Sequence, residues 1–274
     1  MSTPICSVRV RFVLADDIVV PPFTSKVSRS LLAEVLNMTA FKPKGLIVSP
    51  VLHEDKPLFK TANDRKGFIT LKADLAYSFR VVAVGEHASN LLHQIMKGFT
   101  DKPVKLFTTK ASILDVEVSI RDLSELSMPD VDFYRIDFLT PTVLQLPTPR
   151  EPELFRKFKG RPIYLTFPDL KLIFWSLARH WNEFAPLSLK VKLKEIERYA
   201  LYAFPIIDHK IRVITAMYGR KGPRAFLGWI YCGHNRLSKR LDEQFLRLLE
   251  YANWVGIGKS RSIGFGMAKV EPIT

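Results

Sequence analysis

An α+β chain of two tandem ferredoxin-like (RRM-like) units, each β-α-β-β-α-β, is expected from three observations. Alternating apolar segments and amphipathic helical segments succeed one another in that order, and then do so again. At 274 residues the chain is long for one compact domain and ample for two. Its hydrophobic content, 47%, is enough to fill two cores. No fixed-period repeat accompanies the second unit, so the duplication is one of element order. The expected domains are residues 1–125 and 126–274.

In the first unit, residues 5–14 alternate. Val8, Val10, Phe12 and Leu14 fall on one side and Arg9 and Arg11 on the other, the pattern of a half-buried strand. Pro21 and Pro22 end it. Thr24 or Ser25 can cap a helix running to Asn37. Its inward stripe is Val27, Leu31, Leu32, Val35 and Leu36, with Lys26, Arg29 and Ser30 on the other face. Residues 45–52, 67–72 and 77–84 read as strands. A second helix over 87–97 turns Leu91, Leu92, Ile95 and Met96 inward and stops at Gly98. Alternating segments around 104–107 and 113–119 close the unit.

In the second unit, 131–139 is a strand and 141–152 a proline-rich, irregular connection. Asp169 caps a helix whose stripe is Leu170, Ile173, Phe174, Leu177, Ala178 and Trp181. Residues 187–204 fit a helix or a strand. Residues 206–217 and 224–231 form a strand pair joined by the glycine turn at 219–222. Residues 239–252 make the clearest helix, with Leu241, Phe245, Leu248, Leu249 and Ala252 in register. A glycine loop and a closing strand over 267–271 come last.

That loop runs Gly256-Ile257-Gly258-Lys259-Ser260-Arg261-Ser262-Ile263-Gly264-Phe265-Gly266. Two Gly-apolar-Gly triplets bracket a segment carrying two cations and two hydroxyls. Glycine admits positive φ and close backbone approach, so such a turn can aim N–H groups at one anion. Phosphate is the natural ligand. The P-loop reading fails, because Asn253 stands where its first glycine belongs and a helix rather than a strand leads in. The dinucleotide fingerprint fails because Arg261 replaces its third glycine.

Lys and Arg total 41 against 27 Asp and Glu, a formal charge of +14 that favours a polyanionic partner. Between residues 210 and 240 there are eight basic side chains and no acid: Lys210, Arg212, Arg220, Lys221, Arg224, Arg236, Lys239 and Arg240. The hairpin tip holding Arg220 and Lys221 is their centre. Lys259, Arg261 and Lys269 occupy a second acid-free stretch. Neutralising several phosphates in this way supplies most non-specific nucleic-acid affinity. Cys6 and Cys232 offer neither a disulfide framework nor zinc spacing and are expected as core thiols in a reducing compartment. No apolar run reaches membrane-spanning length, so a soluble cytoplasmic protein with no membrane partner is expected. The acid pairs Asp16-Asp17 and Glu54-Asp55 have no partner at metal-ligand spacing, and His87 and His93 are six apart. His180, His209 and His234 read as structural or exposed. No metal site and no cofactor is expected. No exposed aromatics in the RNP pattern are apparent, which argues against sequence-specific RRM-type binding.

Gly256, Gly258, Gly264, Phe265 and Gly266, continued by Met267-Ala268-Lys269-Val270-Glu271, resemble the glycine-rich loop of the RAMP superfamily. Within it, the pattern is most similar to that of the CRISPR repeat-processing endoribonucleases, the sixth of the numbered Cas proteins. Phe138-Leu139-Thr140-Pro141-Thr142 resembles the start of that family's second domain. The likeness covers the whole chain in layout and short segments in sequence. It implies a metal-independent break in CRISPR repeat RNA of the precursor transcript (precursor crRNA). The 2′-hydroxyl attacks the adjacent phosphate, leaving a 2′,3′-cyclic phosphate and a 5′-hydroxyl. As partners it implies that RNA, other Cas proteins of an effector complex, and a second copy of the chain as a homodimer.

Many members place a histidine at or just after the end of the first helix, whereas this chain has none from Phe23 to Pro50. His53 is the nearest and reads as a surface residue beside Glu54 and Asp55. Members lacking the histidine look similar at Ser25-Lys26-Val27-Ser28-Arg29. Lys26 and Arg29, three apart on one helix face, reach the same spot. They are expected to clamp the scissile phosphate and stabilise the charged transition state. Lys56 and Arg224 are further catalytic candidates. A lysine with a lowered pKa can also serve as acid or base. Arg220, Lys221, Gly256, Gly258, Lys259, Ser260, Arg261, Ser262, Gly264 and Gly266 are expected to hold the RNA backbone. The missing histidine keeps an alternative open: a non-catalytic RAMP-type guide-RNA-binding subunit of an effector complex.

Overall fold

The computed structural model describes residues 2–36, 45–64, 67–98, 102–147, 151–158, 163–218 and 222–273. Strand β1 (Pro4–Leu14) buries Val8, Val10, Phe12 and Leu14 on one face and turns Arg9 and Arg11 to the other, as alternation requires. Helix α1 (Ser25–Val35) buries Val27, Leu31, Leu32 and Val35. Strands β2 (Leu46–Val48) and β3 (Tyr77–Val84), helix α2 (Glu86–Gly98) and strand β4 (Thr109–Asp122) complete the first unit. Its main path runs β2–β3–β1–β4 with antiparallel neighbours.

The second unit repeats that path. Its elements are β5 (Phe133–Thr142), α3 (Leu170–Phe184), α4 (Leu193–Ala203), β6 (Ile206–Thr215), β7 (Arg224–Gly233), α5 (Lys239–Val255) and β8 (Ala268–Ile273). The sheet order β6–β7–β5–β8 again places the first strand between the third and the fourth. The Asp169 carboxylate accepts from the Leu172 N–H at 2.9 Å, capping α3, and all six residues of the α3 stripe are fully buried. The stretch 187–204 resolves as a short 3₁₀ turn (Leu187–Leu189) followed by α4.

Several local expectations change. Met96 is 87% exposed, because at 100° per residue it lies about 140° around α2 from the buried Leu91. The stretch 45–52 breaks at Ser49-Pro50, since proline cannot donate to a ladder, and resumes as a tight hairpin of Leu52–His53 with Lys56–Pro57. Ile69–Leu71 leaves the main sheet and pairs with Ile18–Val20, a strand hidden ahead of Pro21. Thr142 still belongs to β5, and Leu144–Gln145 pairs with Tyr164–Leu165 inside what reads as an irregular connection. Asn37 lies outside the described residues.

Each unit has its own core, and the second core spreads onto the first sheet. Ile5, Val82 and Val84, on the sheet face turned away from α1 and α2, join the cluster of α3 and α5. On that face Arg80 donates to the carbonyls of Asn253 and Trp254, at 3.0 and 3.3 Å, near the C-terminal end of α5. Burial pulls its pKa down. Cys6 and Cys232 are buried, and burial pushes their thiols up to about 11 and about 12. Among the described residues no helix is long and apolar enough to cross a membrane.

Candidate nucleic-acid interface

The glycine loop lies between the two units and is anchored by Phe265. This ring is 1% exposed and stacks on Phe23 at 4.7 Å, with Tyr218 edge-on to both at 5.8 and 5.7 Å. Val143, Ile214, Ala216, Ala225 and Leu227 complete this third apolar cluster. Phe23 immediately precedes α1, so the stack delivers the start of that helix to the loop. Thr24 makes no side-chain cap for α1. Its hydroxyl instead donates to the Leu58 carbonyl (2.6 Å) and accepts from the Val51 N–H (2.9 Å). Lys60 N–H donates to Pro22 O at 2.8 Å, and Ala62 N–H to Thr215 O at 2.9 Å. The segment 58–62 thus laces the start of α1 to the end of β6.

The loop glycines serve close approach more than anion binding. Gly266 has φ 69°, and a Cβ there would lie 1.9 Å from the Ile257 carbonyl oxygen. Gly264 has φ 86°, and its Cβ would lie 2.8 Å from Pro50 Cδ in the first unit. The N–H groups of Gly256, Gly264 and Gly266 donate internally, to Ala252, Arg261 and Pro141. Three of the four loop glycines therefore do not turn their N–H groups toward an anion. Among the described residues, the N–H groups without a protein acceptor in this turn include those of Ser260, Arg261 and Ser262, where Ser260 adopts φ 65° and a single 3₁₀ turn follows.

The two loop cations differ. Lys259 is exposed, hydrogen-bonds Gln145 Oε1 and sits 5.6 Å over the Tyr164 ring. Arg261 is half-buried and forms no ion pair among the described residues; its Nη1 donates to Gly256 O at 3.4 Å. Burial pulls its pKa down, while Tyr251 and Glu183 oppose that shift.

Ion pairing divides the basic stretch. Arg236 is neutralised by Asp130 and Asp132, Arg240 by Glu195 and Lys269 by Glu271. Among the described residues, Lys26, Lys56, Lys210, Arg212, Arg224 and Lys259 have no carboxylate within 4.0 Å. Asp64 is near enough to Arg212 to feel its charge. Hydrogen bonds from Thr61 hold its carboxyl below the usual range, with the charges of Lys60 and Arg212 adding to the effect.

Lys26 is exposed on α1 and Arg29, three residues on, is half-buried. Lys56 is exposed and faces His53 across a turn in which Glu54 and Asp55 both take positive φ. These three stand on elements joined to the Phe23–Phe265 stack. Arg224 begins β7 opposite Thr215, but Ala225 and Leu227 enter the apolar cluster, so alternation turns Arg224 to the other face of the sheet. Arg220 and Lys221 lie outside the described residues. His53 touches Ala76 O at 3.4 Å, His180 is bonded to the Tyr251 hydroxyl at 2.8 Å, and His234 is stacked on Phe204. Sequence reasoning missed Phe23 and Tyr218. The available signal for Phe23 was its place just before a helix cap, where an apolar residue commonly staples the entering chain.

The family model "CRISPR-associated endoribonuclease Cas6" matches residues 136–268, and "Cas6 N-terminal domain" matches residues 6–121. A curated relative from Saccharolobus solfataricus, "CRISPR-associated endoribonuclease Cas6 1", is 28% identical over 93% of this chain and 92% of the relative. Among solved structures, a Cas6 product complex superposes with a TM-score of 0.71 at 19% identity, covering 99% of this chain and 100% of that one. Thermus thermophilus Cas6 gives 0.66 at 16% identity, covering 99% of each. With both halves matched to its two domain models, the chain belongs to the Cas6 family of CRISPR-associated endoribonucleases.

Proposed function

We propose that this chain cleaves CRISPR repeat RNA within the precursor transcript without a metal ion. The 2′-oxygen forms a bond to the adjacent phosphorus as the bond to the 5′-oxygen breaks. The proton leaves the 2′-hydroxyl, and the departing 5′-oxygen takes one up. The products are a 2′,3′-cyclic phosphate and a 5′-hydroxyl. Lys26 and Arg29 hold the scissile phosphate and stabilise the extra negative charge of the transition state, with Lys56 on the adjoining hairpin. Lys259, Arg212 and the loop N–H groups hold the flanking backbone. One observation carries the reading: a set of cations, of which Lys26, Lys56, Arg212 and Lys259 have no carboxylate within 4.0 Å among the described residues, gathers on elements tied to one rigid aromatic junction between the units. A junction fixed by a buried ring stack keeps donors in place before the charge develops, as electrostatic catalysis requires.

The test is incubation of the protein with CRISPR repeat RNA in excess EDTA, followed by mapping of the RNA ends. Cyclic phosphate and 5′-hydroxyl ends at one position are expected. RNA that is bound yet intact would establish the non-catalytic subunit instead.

A further inference from the structure

The loop has a second side. While Gly264 and Phe265 face the first unit, residues 258–262 line a cavity of about 470 Å³ against α3. Its other walls include Trp175, Ser176, Arg179 and Glu183. None of the proposed catalytic side chains reaches it. The volume lies in the range of small-ligand sites.

Its chemistry is specific. Arg261 contributes a half-buried guanidinium with no carboxylate within 4.0 Å among the described residues, although Glu183 is near enough for its charge to be felt, and only one long hydrogen bond occupies its five donors. A half-buried cation with open donors is completed by an anion with several oxygens. The open N–H groups of Ser260, Arg261 and Ser262 belong to the same wall. Across the cavity, Arg179 lies 5.4 Å over the Trp175 ring. An indole with a stacked guanidinium is a flat surface of the kind on which unpaired bases settle. One site therefore offers a phosphate half and a base half.

We propose that this cavity binds one unpaired nucleotide, its phosphate on Arg261 and the loop N–H groups and its base against Trp175 and Arg179. The assignment rests on the reading of the loop as an RNA-binding element, and it adds a nucleotide site on the side of the loop opposite the cut. A nucleotide held there fixes the register of the strand relative to Lys26 and Arg29. Trp175, Arg179 and Arg261 act as positioning residues.

The experiment has two arms on the full chain. In the first, tryptophan fluorescence is titrated with AMP, GMP, CMP and UMP, with inorganic phosphate and free nucleosides as controls. Saturable quenching at millimolar concentration or below is expected for at least one nucleotide, at least about tenfold tighter than for phosphate alone, a gap of one decade in affinity. Trp175→Phe abolishes the signal change, and Arg261→Gln weakens binding at least about tenfold. Phosphate binding as tightly as a nucleotide, or quenching that survives Trp175→Phe, overturns the proposal.

In the second arm, single abasic nucleotides are scanned through the repeat RNA. One position is expected to weaken binding in the wild type and to add nothing further in Arg179→Ala, whose exposed side chain keeps folding out of the comparison. Losses that add at every position overturn the assignment to RNA. Cleavage in EDTA reports separately on the proposed reaction. RNA left uncut with the nucleotide titration intact sinks the catalytic reading alone, and the reverse result sinks the cavity alone.

Discussion

Lys26 and Arg29 are one helical step apart, at the end of a helix held by the Phe23–Phe265 stack. Removing a preorganised charge donor from a transition state costs about 10²–10³ in rate. Lys26→Ala with Arg29→Ala is therefore expected to slow single-turnover cleavage at least a hundredfold while RNA affinity falls less than about tenfold, because many other phosphate contacts remain. Filter binding and cleavage kinetics on one RNA check both numbers, and equal losses would demote the pair to binding residues. At Gly266 the added methyl of Gly266→Ala would press on a carbonyl at a positive φ. A loss of about 1–3 kcal/mol is expected. Gly67→Ala, with nothing within 4 Å of its Cβ, should stay within about 0.5 kcal/mol of the wild type by denaturant midpoint.

At the scale of elements, the first strand is clamped at its N-terminal end by Asp122. Burial pushes the Asp122 carboxyl up, but hydrogen bonds from Ser124, Ser2 and the Thr3 N–H outweigh it and hold the pKa down, from 3.8 to about 2. A depressed carboxylate stabilises the fold above its unfolded pKa and ceases to do so as pH falls through the folded one. Asp122→Asn should therefore lower the thermal midpoint at pH 7, and its deficit should shrink as pH drops from about 4 to 2. A deficit independent of pH would contradict the clamp. Thr24 is the second such device. Thr24→Val keeps the shape but strands the Val51 N–H and the Leu58 carbonyl. An orphaned buried polar group costs about 1–3 kcal/mol, so a loss of at least about 2 kcal/mol is expected in urea unfolding.

Across the whole molecule, the units are joined by rings as well as by chain. Phe23 and Phe265 belong to different units and touch face to face. In a double-mutant cycle, Phe23→Leu and Phe265→Leu should show a coupling of about 0.5–1.5 kcal/mol. Additive losses would mean that the junction is held elsewhere. The cations collected around that junction predict steep ionic-strength dependence: log K for RNA should fall linearly with log salt, at about 0.7 per neutralised phosphate of single strand. A flat plot would remove the backbone from the interface.

Periodicity was enough for the elements whose energy is local burial. The stripes of α1 and α3 and the alternation of β1 were legible because each side chain's inward direction follows from the helical or strand repeat alone. Alternation failed where pairing partners came from far along the chain, as at Ile18–Val20 with Ile69–Leu71, because a three-residue strand carries too little pattern. The loop was legible as a place, but not which of its N–H groups stay open: those of Gly256, Gly264 and Gly266 turn inward to Ala252, Arg261 and Pro141, and the Pro141 partner lies 125 residues away in the chain. Charge count pointed to a polyanion, yet which cations are free depends on acids more than a hundred residues distant, as Asp130 and Asp132 show for Arg236. Local order, then, is written along the chain, because it depends on near neighbours. The junction of Phe23 with Phe265 and the cavity behind the loop exist only once the two units meet, because contacts between surfaces leave no periodic trace in either one.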